Sequence, residues 1–115
     1  MIRFSKNILT FILTLSSLNA QVEEVGDSTF TIIKDGFSVN LPYFTNKPIN
    51  YNDEEIVRVV IVLHGQNRNA NDYFGYIEEA SISSELENET LIFSPQFLIH
   101  QDIDYWGLDS SFVYW

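Results

Sequence analysis

The 115-residue chain has no cysteine. Neither a disulfide framework nor a thiolate metal site is open to it, so stability has to come from an apolar core. Positive charge is scarce: six Lys and Arg stand against sixteen Asp and Glu, for a net charge of −10. Such a surface repels nucleic-acid phosphates and anionic lipid, which removes nucleic acid from the expected partners. The acidic residues are mostly dispersed. Glu54-Glu55 and Glu78-Glu79 are short pairs that read as solvated faces. Asp102 and Asp104 lack the ligand spacing of a cation loop, and no metal or cofactor is expected. Internal repeats and low-complexity tracts are also missing.

The first twenty residues read as an export signal. Arg3 and Lys6 form a positive flank, Ile8 to Leu15 is mostly apolar, and Ser16-Ser17-Leu18-Asn19-Ala20 is a plausible cleavage region. The apolar stretch is shorter than the roughly 18 residues that a membrane span requires. Cleavage after Ala20 leaves Lys34, Lys47, Arg58 and Arg68 against all sixteen acids, which moves the net charge from −10 to −12. The expected product is exported, periplasmic or extracellular, with no membrane attachment. The segment 21–115 is long enough for one small domain.

Phe30 to Leu41 reads as a β-hairpin. Asp35-Gly36 supplies the positive φ angles of a tight turn, and Phe37, Val39 and Leu41 alternate with Ser38 and Asn40. Pro42, which cannot donate to a ladder, is expected to end the second strand. Tyr43 to Glu55 reads as a loop. Ile56 to Leu63 is a near-continuous apolar run, the pattern of a parallel strand covered on both faces. It ends in His64-Gly65 and a polar turn to Asn71, with Asn69 or Asn71 placed to cap a helix. Tyr73, Phe74, Ile77, Ala80 and Ser84 then fall at helical spacing. Thr90 to Ser94 is a short strand stopped by Pro95. The order strand, helix, strand makes a right-handed βαβ unit the expected topology. From Phe97 onward the chain reads as an aromatic loop.

Taken together, Val59-Val60-Ile61-Val62-Leu63-His64-Gly65, Arg68-Asn69-Ala70-Asn71-Asp72-Tyr73 and Pro95-Gln96-Phe97 resemble the N-terminal part of the α/β-hydrolase family. The closest likeness is to its exported microbial members, over residues 30–115. The resemblance implies an α/β fold in which a β-hairpin is followed by a β-α-β unit, with the sheet incomplete in this chain. In that fold the fourth strand lies between the second and third, and the third strand's other neighbour is a fifth, which carries the nucleophile. The implied organisation is a signal peptide, 1–20, and a partial hydrolase domain, 21–115, truncated before the nucleophile elbow. The implied function is that of the front part of an exported serine hydrolase. It would cleave ester or related acyl bonds in a small-molecule or polymeric substrate.

The chemistry behind the resemblance is electrostatic. Negative charge develops on the carbonyl oxygen during acyl transfer, and losing one N–H donor aimed at it costs about 2.7–4 kcal/mol. One donor in this fold comes from the loop after the third strand and the other from the residue after the nucleophile. The resemblance nominates the backbone N–H of Gln66 or Asn67 as the first donor, with His64, Gly65 and Arg68 supporting the loop. Gly65, lacking a Cβ, lets the backbone approach substrate closely.

Plainer readings stand beside these. His64 reads as a structural residue at a strand end, because the triad histidine of this family comes late in the chain. His100, in a loop, is no better placed to be that base. Arg68 either lines the site entrance or pairs with Asp72, and the pairing is preferred. Tyr105, Trp106 and Trp115 are pocket-lining aromatics or core aromatics. No Gly-x-Ser-x-Gly occurs, and no serine has glycine two positions away on both sides. Without a nucleophile there is no acyl-enzyme, so this chain alone is not expected to turn over substrate. The alternatives are a non-catalytic secreted binding module and a decayed gene product. Either way, the strand Ile56 to Leu63 is expected to present an open edge, which invites association.

Overall fold

The computed structural model describes residues 21–49 and 52–112. The expected signal, its cleavage site and Trp115 lie outside them.

Two strands, β1 (Ser28–Lys34) and β2 (Phe37–Thr45), form the hairpin. Its turn residues Asp35 and Gly36 have φ of 52° and 83°, the requirement of a type I′ connection. β2 does not end at Pro42 but continues to Thr45. Pro42 sits opposite Thr29, and its carbonyl faces away from β1, accepting the Gln96 N–H at 2.9 Å. The missing N–H therefore removes no rung from the hairpin.

The apolar run forms β3 (Arg58–Ile61), followed by α1 (Ala70–Ser83) and β4 (Thr90–Pro95). β3 and β4 are parallel neighbours, and β2 pairs antiparallel with β4 through Tyr43, Phe44 and Thr45. The result is a four-stranded mixed sheet of order β1-β2-β4-β3. The protein is thus mixed α/β, with β4 between β2 and β3.

Among the described residues, only one sheet face carries a helix. α1 packs on β4 and β2, with Phe74 and Phe44 rings 6.2 Å apart over the buried Ile92 and Ser94. The expected covering of Ile56 to Leu63 on both faces is not found. Val62 is buried on the helix side, while Val59 and Ile61 are 60% and 64% exposed. A two-sided apolar run signals a strand meant for two layers, and the described residues supply one. Phe30, Ile32, Leu41 and Phe93 join Val59 and Ile61 along an open apolar groove of about 330 Å³.

A second helix, α2 (His100–Trp106), stands where the sequence reads as a loop. Asp102 accepts the Ile99 N–H at 3.0 Å, and Gly107, at φ 63°, ends the helix in the left-handed conformation. Seven residues are too few to display a clear apolar period. Ile103 of this helix packs with Leu98 and with Val22 from the N-terminal segment, forming a small separate core.

That segment is strapped down by polar bonds. Trp106 Nε1 donates to Val22 O at 3.2 Å, Gln96 Nε2 donates to Glu24 O at 2.9 Å, and Gly26 N–H donates to Gln96 Oε1 at 3.0 Å. Gly26 lies so close to Tyr43 that a Cβ would stand 2.6 Å from its backbone nitrogen. The Gly26→Ala substitution is expected to lift the strap from the sheet. A glutamate-specific protease should then cut at Glu23 or Glu24 well before the rest of the chain. Equal cutting rates in the two proteins would show that the strap is not held at Gly26.

Candidate functional site

The candidate site begins where the β3 ladder ends. Val62 N–H still reaches Phe93 O at 2.9 Å. Beyond it, residues 64–68 turn outside the C-terminal end of the strand before α1 begins. The turn is closed by Arg68 N–H donating to Gly65 O at 3.0 Å, with Arg68 at φ 57°.

Both ends of this turn are anchored from β4. The buried Ser94 hydroxyl lies 3.1 Å from Val62 O and 3.2 Å from Ala70 O, tying the end of β3 to the first turn of α1. Gln96 is fully buried, and its Nε2 donates to Arg68 O at 3.0 Å as well as to Glu24. One side chain thus holds the turn and the N-terminal strap together.

His64 has a structural role. Phe97 N–H donates to its Nε2 at 2.8 Å, which requires that nitrogen to be unprotonated. The ring proton then sits on Nδ1 and is donated to Gly65 O, 2.8 Å away. Both ring nitrogens are thus engaged in hydrogen bonds.

Arg68 does not pair with Asp72. Its Nε and Nη2 donate to Asp102 at 2.6 and 3.2 Å, and its Nη1 donates to Gln66 O at 3.0 Å. Asp72 instead accepts from the Asn69 and Asn71 side chains. The unforeseen α2 is the reason for the difference, because it carries Asp102 to the turn with only 1% of its surface exposed. Asn69 occupies the cap position of α1 without a side-chain cap bond.

Gln66 and Asn67 are exposed, and neither backbone N–H meets an acceptor among the described residues. Gly65 is also exposed, and its φ is not positive. A Cβ there would meet only the Tyr73 hydroxyl, at 3.4 Å, so the protein's own packing does not demand glycine. A cleft of about 180 Å³ beside the turn is lined by residues that include Val22, Glu23, Asn67 and Asp72. The larger depression, about 730 Å³, runs between Asp27–Thr31 and Tyr43–Ile49 and shares no residue with the turn.

Tyr105 and Trp106 do not line the cleft beside the turn. They lie edge to face, 5.7 Å apart, at the far end of α2, and the Trp106 indole is committed to Val22. His100 and Asp104 form an exposed contact of 3.6 Å. Asp109 caps the following turn, and the Ser111 hydroxyl and N–H hold its carboxylate below the usual range. Among the described residues no group of His, Asp and Glu is arranged to hold a metal ion.

Sequence reasoning missed the roles of Ser94, Gln96 and Asp102. Their only signal was polarity next to apolar strand and helix positions, and buried polar groups are almost always hydrogen-bonded. In comparison with known proteins, the chain matches no family model, no curated protein and no solved structure.

Proposed function

We propose that this chain is the N-terminal part of an exported serine hydrolase of the α/β-hydrolase fold, and that its 64–68 turn supplies one oxyanion donor. The observation that carries the reading is that the exposed N–H groups of Gln66 and Asn67, outside the C-terminal end of a parallel strand, meet no acceptor among the described residues. Ligands of open α/β sheets bind in the crevice outside those strand ends. A turn anchored by hydrogen bonds, with N–H groups directed outward there, is suited to developing negative charge, because its dipoles need little reorganisation as the reaction proceeds. Gly65 supports the same reading: a glycine that internal packing does not require leaves room for a close external approach. The sheet face and the edge of β3 that no described residue covers fit a sheet whose remaining layer and strand come from further sequence.

In this reading the turn binds the scissile carbonyl oxygen. The nucleophile, the acid, the base and the second donor belong to segments that follow. The substrate is an acyl compound, small or polymeric. No described helix is long and apolar enough to cross a membrane.

The transcript read through codon 115 tests the proposal. A frame that continues into a strand and Gly-x-Ser-x-Gly, with a later Asp and His, is the expected result. The encoded protein should then react with a fluorophosphonate probe at that serine. A stop codon directly after Trp115 would remove the catalytic role from this product.

A further inference from the structure

Among the N–H groups of the turn that meet no acceptor among the described residues, those of Gln66 and Asn67 are each fixed through the carbonyl on the other side of their own peptide bond. A trans peptide is planar, so its C=O and N–H point in opposite directions, and holding one aims the other. Gly65 O is held by the His64 ring and by Arg68 N–H, which aims the Gln66 N–H. Gln66 O is held by Arg68 Nη1 at 3.0 Å, which aims the Asn67 N–H. The guanidinium is itself oriented by its two bonds to Asp102. Asp102 in turn is held by the Ile99 N–H and by burial at the start of α2.

We propose that Arg68 and Asp102 are positioning residues for the candidate oxyanion turn: Asp102 orients the Arg68 guanidinium, and the guanidinium sets the direction of the Asn67 N–H. In calling the turn an oxyanion element this rests on the proposed function; the orientation itself rests on the geometry above. The donor to Gln66 O is a full cation, and charge-assisted hydrogen bonds are about twice as strong as neutral ones. A carbonyl so engaged polarises its peptide and strengthens the N–H on the far side. Asn67 is therefore the stronger of the two donors, and Gln66, aimed by neutral groups, is independent of the ion pair.

The test is 15N relaxation of the full chain, at a concentration where it sediments as one species. Arg68→Lys keeps a cation for Asp102 but gives up the planar fork that also reaches Gln66 O. The double substitution Arg68→Met with Asp102→Leu removes both charges together, a change that buried pairs tolerate. In both proteins the Asn67 order parameter is expected to fall from the rigid range, about 0.85, to below about 0.6. Gln66, Ser94 and Leu98 should keep their wild-type values. A pair that served only the fold would loosen all four positions together, and that result would overturn the proposal. So would an Asn67 amide that stays rigid in both variants. These outcomes do not depend on the sequence beyond codon 115, so a missing nucleophile would defeat the hydrolase reading and leave the orientation result intact.

Discussion

Arg68→Ala is expected to lower stability by about 3–5 kcal/mol, the usual consequence of leaving one member of a buried ion pair without its partner. Asp102 is 1% exposed, and only 15% of the Arg68 side chain reaches solvent. The pair therefore lacks the solvent screening that makes surface salt bridges nearly neutral. Truncation removes the fork of donors from a carboxylate that water cannot reach, and it frees Gln66 O as well. Small domains have about 5–15 kcal/mol in total, so a large share of this one's stability is at stake. Urea denaturation at neutral pH, followed by far-ultraviolet circular dichroism, reads the effect as a lower midpoint at unchanged slope. The double variant with Met at 68 and Leu at 102 should recover most of the loss. A loss below about 1 kcal/mol for Arg68→Ala would put the pair among ordinary surface contacts.

The second large effect concerns the sheet face that no described residue covers. The chain as it stands is expected to self-associate as its concentration rises. Two forces oppose each other here. The net charge of −10 repels, but salt screens it beyond about 8 Å at physiological ionic strength. The apolar groove and the β3 edge, which pairs with no described strand but β4, attract at contact distance, where screening does little. Association should therefore strengthen with added salt, opposite to the behaviour of an electrostatic complex. Val59→Lys with Ile61→Lys takes two apolar side chains from the contact. At about 1.5–3 kcal/mol for each buried side chain, association should weaken on the order of a hundredfold or more. Sedimentation velocity across a concentration series decides the matter. A wild-type chain that remains monomeric throughout would deprive the incomplete-sheet reading of its support.

Legibility in the sequence followed the range over which each signal acts. The hairpin was readable because Asp35-Gly36 carries its own conformational requirement, and the strands because β-branched runs need no partner to declare themselves. α1 was readable from Tyr73, Phe74 and Ile77, which repeat over more than one turn. α2 was not, since it is short and ends among aromatics that its sequence context does not organise. The illegibility of α2 has one direct consequence: sequence proximity pairs Arg68 with Asp72, whereas the folded helix brings Asp102 to it. The turn at 64–68 is legible from its glycine and its place after β3. The means of holding it were invisible, because Ser94, Gln96 and Asp102 act across 24 to 34 residues of separation. Exposure on the second sheet face was also hidden, since an apolar run reports what a strand needs and not whether the covering layer is present.

The joint between β2 and β4 has a consequence for how the molecule opens. The hairpin and the β3-α1-β4 unit each close a shorter loop than the joint between them, where three register pairs and the Gln96 N–H bond to Pro42 O link β2 to β4 and the residue after it. Side chains lengthen that seam. Asn46 donates to Thr90 O and accepts from Ile92 N–H, standing in for a further stretch of backbone, and the Thr45 hydroxyl reaches Ile92 O. These bonds close a loop of more than forty residues, so they come at a higher entropic cost than either half does. In native-state exchange the hairpin and the parallel unit are expected to open as two cooperative units. Fluctuations should part the sheet along this seam first, with Asn46 as its last stitch.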